Sequence, residues 1–441
     1  MAKCGDFQGG VHLPYNKELA KGKPITEVSL PQEIVIPLSQ HIGAPCEPLV
    51  EVGDKVKAGQ KIGDSSQFVS APVHASLAGT VEAIEPRPTS SGKVESIVIK
   101  VEQNQEGISY QQKRDVTKVN KGEIIKAVKE AGIVGMGGAS FPTSVKLSPP
   151  EDKPIDTILI NGCECEPYLT CDHRMMLEQG EELIAGVKLL LKVVGAKKCC
   201  IGIEDNKPDA INHLKKLADD SRIEVQAVPT EYPQGSEKQL IKTAFDKEVP
   251  SGALPFEVGV LVQNIGTAIA VYEAVAYDKP LMERVVTVTG QNIKNPANLL
   301  VKVGTSVRHL IKECGGFIEN ETKVVLGGPM TGTALSNLSA PITKGGNGVI
   351  ALPSRMVKGS GDLPCMRCGS CVEKCPMQLY PNKLSILVEE NDYNQVENLG
   401  PLDCVECGIC SYVCPSKRPV VQQIKKAKVK ITEKKREAGD K

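Results

Sequence analysis

Eight cysteines fall within fifty residues of this chain, in two runs of identical spacing: Cys365-x2-Cys368-x2-Cys371-x3-Cys375-Pro376 and Cys404-x2-Cys407-x2-Cys410-x3-Cys414-Pro415. The spacing restricts what the segment can fold around. A zinc knuckle takes four ligands as two separated pairs. A third cysteine two residues on, and a Cys-Pro after it, fit that poorly. They fit a cubane 4Fe–4S cluster, where a tight loop turns three thiolates toward three corners of one cube. Gly369 and Gly408 follow the second cysteine of each run and allow close backbone approach. Each proline ends its loop.

This is the bacterial ferredoxin spacing, present twice, and there the fourth cysteine of each run ligates the other cluster. Cys365, Cys368, Cys371 and Cys414 are therefore expected around one cluster. Cys404, Cys407, Cys410 and Cys375 are expected around the second. Between the runs, "NKLSILVEENDYNQVENLG" reads as a helix and a connector. Two cubanes carry single electrons and do no substrate chemistry alone. The rest of the chain has to supply a source or a sink.

Bulk properties narrow the options. The 441 residues suffice for two to four domains. Net charge is zero, Trp is absent and aromatics are 3%, which argues against nucleic acid as a partner. No apolar run reaches the roughly 18 residues of a membrane span. The start, "MAKCGDFQGG", lacks the apolar core of a signal peptide, so Cys4 is not expected to be a lipidated, exported cysteine. In a reducing compartment, sixteen cysteines point to ligands rather than disulfides.

Before the cysteine runs, strands and helices alternate. "NKGEIIKAVKEA" reads as a helix capped by Asn120 with Glu123 three residues on. "GIVGMGGASFPTSVKL", Gly132 to Leu147, follows as a glycine-rich loop. It is neither a Rossmann fingerprint, since it joins no strand to a helix, nor a Walker loop, since no GK[ST] follows. Strands are expected at 156–161, in "KKCCIGIED", in "RIEVQAVP" and in "EVGVLVQN", each followed by a helix. That alternation implies a parallel sheet with ligands at the strand C-terminal ends. Loops 161–168, 232–238 and 263–267 all lie at such ends.

"GMGGASFPTSVK", "NGCECEP", "YPQGSEKQL" and "VQNIGT", in that order, resemble the four loops of the flavin-binding subunit of respiratory complex I. With the cysteine-rich end and the "FQGGVHLP" segment, Phe7 to Pro14, nearly the whole chain resembles the C subunits of Rnf complexes. The resemblance implies FMN beside Gly135, Gly137 and Gly138, with Lys146 pairing its phosphate. Asn161 and Glu164 would meet the ring or ribityl chain, and Asn264 and Thr267 the phosphate at a helix N-terminus. Tyr232 and Gly235 belong to the third loop of the same site. NAD(H) would stack over the flavin, with Phe141 against a base and Glu166 and Glu237 on ribose hydroxyls. Cys163 and Ser236 depart from the complex I pattern, which leaves the choice between NADH and NADPH open. A metal site formed by Cys163, Cys165 and Cys171 with His173 is a further reading of the second loop.

The expected architecture is α/β. Residues 1–40 form an N-terminal extension and 41–112 a barrel-sandwich-like module. Residues 113–282 form a Rossmann-like FMN/NADH-binding domain, and 283–355 a soluble-ligand-binding β-grasp module. Residues 356–424 form a two-cluster ferredoxin-like domain. The barrel-sandwich segment resembles biotinyl and lipoyl carriers, but the Met-Lys-Met hairpin that bears those cofactors is absent, so a docking role is expected. "VVLGGPMTG", Val324 to Gly332, reads as a turn of the β-grasp module. Residues 425–441, rich in Lys and Arg, are expected to be a solvated, mobile tail.

The resemblance implies a peripheral subunit on the cytoplasmic side of the cell membrane, in an ion-translocating ferredoxin:NAD+ oxidoreductase. Its partners would be an iron–sulfur ferredoxin-like subunit and integral membrane subunits. Two alternatives stay open: a flavin-free electron-transfer adaptor that docks other redox subunits, and a soluble NADH dehydrogenase with a diffusible acceptor.

Overall fold

A computed structural model describes residues 5–439 apart from 106, 108, 109, 111–113, 151, 321, 358–362 and 438. Cys4 and the boundary expected at 112/113 lie outside the described residues. The fold is mixed α/β, in four packed parts.

The central part is built on four parallel strands, Thr157–Asn161, Lys198–Glu204, Ile223–Val228 and Val260–Asn264. Their spatial order is third, second, first, fourth. Ile158, Leu159 and Ile160 are all fully buried, because helices cover both faces of the sheet. Helices Lys121–Glu130, Gly180–Val194 and Ile265–Tyr277 pack over one face, and Glu237–Phe245 over the other. The first helix has the expected capping box between Asn120 and Glu123. Gly180–Val194 and Ile265–Tyr277 cross tightly: a Cβ on Gly186 would sit 2.0 Å from the Ala268 carbonyl oxygen, so this crossing requires glycine. Chain order and spatial order part company between the first and fourth strands. Such a reversal opens a crevice beyond the strand C-termini. Asn161 and Asn264 are register partners at its floor.

Two small antiparallel sheets around Ile34, Ile36, Ile62, Val73, Ile97 and Ile99 form the second part. The third is a six-stranded mixed sheet over helix Val307–Glu313. Here the first expected boundary is corrected. Residues 25–37 are not part of an extension. Ile25–Glu27 pairs parallel with Ala297–Lys302 in the six-stranded sheet, and Glu33–Pro37 pairs with Gly92–Val101 in the sandwich. The apolar run Ile34–Ile36 has to be buried, and these sheet edges offer the surface.

The cysteine-rich part consists of short helices Ser370–Glu373 and Ile409–Tyr412, the connector helices Pro381–Glu389 and Tyr393–Asn398, and a long helix, Val420–Glu437. That last helix corrects the expectation of a free tail from residue 425. Val420, Val421, Ile424, Ala427 and Ile431 form a buried stripe against Leu384 and Val388. The lysines occupy the outer face of the same helix. Charge density hid an amphipathic period.

Candidate functional site

The two cysteine runs interleave. Cys365, Cys368, Cys371 and Cys414 line one cavity, together with Asn382, Ser385, Ser416 and Arg418. Cys375, Cys404, Cys407 and Cys410 line a second, walled by Met377, Leu379, Val405, Ile409, Val421 and Ile424. The exchange of the fourth cysteine is thus built into the backbone. Burial pushes the Cys407 thiol up to about 12, with the neighbouring Cys404 and Cys375 adding to it. The Cys404 and Cys410 thiols are raised for the same first reason. Thiols that burial and each other keep protonated need a cationic centre to ionise. Four converging sulfurs per cavity match the donor set of a cubane.

The crevice of the parallel sheet gathers the four loops. The glycine-rich loop folds back on itself, with Gly135 N donating to Phe141 O at 2.8 Å. The Thr267 hydroxyl pins it by accepting from Met136 N at 3.0 Å. Gly137 has φ +78°, and its backbone approaches the Asn264 side chain. Asn264 caps helix Ile265–Tyr277 by accepting from Gly266 N at 2.8 Å and donates to Asp172 Oδ2 at 2.7 Å. Asn161 ties its loop to the third, donating to Gly235 O at 2.7 Å. A Cβ on Gly235 would lie 3.0 Å from Cys165 Sγ, so the approach depends on glycine. Burial lowers the Lys146 ammonium and Glu237 partly offsets this. Among the described residues, the Lys146 ammonium makes no hydrogen bond or ion pair. A half-buried cation without a hydrogen bond or ion pair beside a glycine loop is suited to an anionic group such as a phosphate.

Two acidic residues are engaged by protein. Glu164 accepts from Asp172 N at 2.7 Å and His173 N at 3.4 Å, capping helix Cys171–Glu178. Glu166 accepts from Met330 N at 3.0 Å and Thr331 N at 2.8 Å, in the turn singled out as "VVLGGPMTG". Tyr232 sits apart from the crevice: its hydroxyl donates to Cys407 O at 2.8 Å. Cys163, Cys165 and Cys171 diverge into three different apolar clusters, and His173 pairs with Asp209 at 2.9 Å. Those four residues therefore share no metal position. Among the described residues, Glu164, Cys171 and Asp172 do cluster within 4.8 Å. Burial, then Glu164, push Asp172 up to about 6. Asn264, Lys17 and the helix amides already hold these carboxylates.

Sequence reasoning missed the buried cations that hold the crevice together. Lys17 donates to the carbonyls of Glu164, Glu166 and Leu169 at 2.7, 3.0 and 2.5 Å. Lys207 donates to Cys163 O at 2.6 Å and to Glu204 Oε2 at 3.0 Å. Arg284 is buried and reaches Met136 Sδ and Gly346 O. None carries a local motif, since each acts from outside the four loops.

The second cage and the crevice are packed together. Gln239 Nε2 donates to Pro376 O at 3.2 Å, and Gly10 N to Lys374 O at 3.1 Å. Val11 and Tyr232 exchange backbone hydrogen bonds. Tyr232, Leu13 and Ile409 form one buried cluster, with Cys165 and Cys407 packed against it. A Cβ on Gly408 would lie 2.7 Å from Met330 O. In the first cage, Cys368 is exposed.

Four family descriptions match in chain order: the RnfC barrel sandwich hybrid domain over 5–104, the Nuo51 FMN-binding domain over 128–273, the SLBB domain over 285–334 and a 4Fe-4S dicluster domain over 364–418. An NAD+-reducing [NiFe]-hydrogenase structure shares the fold at TM-score 0.51 and 17% identity, over 71% of this chain and 64% of that one. The C subunit of the proton-translocating ferredoxin:NAD(+) oxidoreductase complex of Clostridium ljungdahlii is 45% identical, over 89% of this chain and 86% of its own length. The C subunit of the Na(+)-translocating ferredoxin:NAD(+) oxidoreductase complex of Acetobacterium woodii is 44% identical over 99% of both. The chain belongs to the family of C subunits of ion-translocating ferredoxin:NAD+ oxidoreductase complexes.

Proposed function

We propose that this protein passes electrons between NAD(H), FMN and two 4Fe–4S clusters, as a peripheral subunit of a membrane-bound, ion-translocating ferredoxin:NAD+ oxidoreductase. The observation that carries the proposal is the junction. The Cys375/Cys404/Cys407/Cys410 cage is hydrogen-bonded through Tyr232 and Gln239 to the third loop of the FMN-binding domain. A redox centre in that cage and one in the crevice belong to a single packed unit.

FMN, when bound, exchanges a hydride with a nicotinamide and single electrons with iron–sulfur centres. The residues of this chain divide the remaining work. Lys146 holds the phosphate, and Gly135, Gly137 and Gly138 let the backbone approach. Asn264 and Thr267 set the helix end and the glycine loop against each other. Asn161 and Gly235 join the second and third loops, while Glu164 orders the second by capping its helix. Phe141 and Glu237 would meet the nicotinamide nucleotide. For Glu166 the geometry favours a joining role, because both carboxylate oxygens bind the Met330–Thr331 turn. Tyr232 orients the Cys407 loop. Each cage holds one cluster.

Electrons exchange with the rest of the complex at the Cys365/Cys368/Cys371/Cys414 cage, the one with an exposed cysteine. The partner there is an iron–sulfur, ferredoxin-like subunit. No helix among the described residues is long and apolar enough to cross a membrane. Attachment to the cytoplasmic face therefore runs through integral membrane subunits.

The test is composition and reduction together. Anaerobically purified, iron-reconstituted protein should release one FMN per chain with acid and contain about eight irons, as two cubanes require. NADH should bleach the flavin. Eight irons without FMN, and no response to NADH, would leave a flavin-free adaptor instead.

A further inference from the structure

The two cages share a ligand spacing but not an environment. The first counts Arg418 among its lining residues, with Asn382, Ser385 and Ser416 beside Met366, Pro415 and Val420. The second has no charged side chain in its wall: Met377, Leu379, Val405, Ile409, Val421 and Ile424 surround the sulfurs.

Arg418 is held in place. Its side chain is 8% exposed. Nη2 and Nε donate to Ser385 Oγ at 2.9 and 3.3 Å, and Nη1 to Leu363 O at 3.4 Å. Its counter-charge, Glu389, lies 2.6 Å away and is 48% exposed. Water screens that carboxylate, while Arg418 is buried and belongs to the cavity wall. Near the second cage, Lys428 donates to Cys404 O at 2.9 Å. It pairs with Glu406 at 2.6 Å, and neither residue lines the cavity.

Reduction adds one negative charge to a cluster already made anionic by four thiolates. Net charge, hydrogen bonding and solvent exposure set the potential of such a cluster. A cation in the wall favours the reduced form, and an apolar wall disfavours it. We infer that Arg418 sets the cluster of the Cys365/Cys368/Cys371/Cys414 cage at a higher reduction potential than that of the Cys375/Cys404/Cys407/Cys410 cage. The inference rests on the cluster reading above. Electrons delivered from the crevice then run outward and rest at the exposed cage. A donor at that cage needs a potential low enough to push charge inward.

The experiment is a redox titration of the full chain, reconstituted with iron and sulfide and followed by electron paramagnetic resonance. Cys368→Ala, which removes a ligand of the outer cage alone, assigns the two signals. In the unaltered protein the outer cluster should be reduced first. Arg418→Gln should shift the outer midpoint downward and leave the inner one in place. Arg418→Lys, which keeps the charge, should restore most of the difference. Equal midpoints, an inner cluster reduced first, or an Arg418→Gln shift in both clusters or neither would overturn the assignment. An inner cluster reduced first in the unaltered protein overturns the assignment even if Arg418→Gln assembles poorly. Failure to take up iron would count against the cluster reading instead, and is seen before any titration.

Discussion

The cysteine cages and the crevice are built on opposite plans. Each cage takes three ligands from seven consecutive positions and borrows one from the other run. The crevice draws on four loops spread over more than a hundred residues, and distant segments tie it together. Lys17 comes from the N-terminal segment, Arg284 from the strand after the last loop, and the Met330–Thr331 turn from the six-stranded sheet. A cage should therefore fail only when its own ligands are changed. The crevice should fail from a distance.

Lys17→Met tests that contrast most severely. It strips three buried carbonyls of their donor and leaves Glu164 without its cation. Breaking a buried charged contact costs roughly 3–5 kcal/mol. The expected outcome is loss of FMN with close to full iron content, read by acid extraction and iron assay. Equal loss of iron would break the contrast. Lys146→Ala should act inside the crevice alone. Losing one charge-assisted contact of roughly 1.5–3 kcal/mol lowers FMN affinity about 10- to 150-fold, measurable by flavin fluorescence titration. Folding should be unchanged.

Lys344 sharpens the comparison through pH. Burial pushes its ammonium down to about 7, and its Nζ bridges Pro72 O and Gly132 O, at the start of the glycine loop. Above that value the folded protein sheds a proton that the unfolded chain keeps up to 10.5. Its contribution to stability therefore rises with pH across that window, by at most about 1.4 kcal/mol per unit. The neutral amine still donates to both carbonyls. The gap in denaturation midpoint between the unaltered protein and Lys344→Met should widen from pH 7 to pH 9. A constant gap would contradict the assignment. Tyr232→Phe should have the smallest effect, about 1 kcal/mol for one lost hydrogen bond to Cys407 O. It should slow electron passage from the crevice while FMN and iron stay bound.

What was legible in the sequence follows from the same difference in plan. The cage pairing could be read because ligand spacing is local. The four parallel strands could be read because short apolar runs alternate with helical stretches. Helix Gly180–Val194 carries a helical period, with Glu181, Glu182, Lys188 and Lys192 on its outer face. Helix Val420–Glu437 is masked by its lysines. Tyr232 belongs to a flavin loop by position, but the cage that accepts its hydroxyl lies 175 residues further on. Lys17 and Arg284 had no local signal, because their partners are backbone carbonyls and a thioether on other parts of the chain.

On the proposed function, electrons leave the crevice through the Cys375/Cys404/Cys407/Cys410 cage. Rapid-freeze paramagnetic resonance after mixing with NADH tests it directly, on Cys368→Ala and Cys407→Ala proteins loaded with FMN. Cys368→Ala should show its inner cluster reduced as fast as in the unaltered protein. Cys407→Ala should show a reduced flavin and an outer cluster reduced at least tenfold more slowly. Prompt reduction of the outer cluster without the inner one would contradict the account.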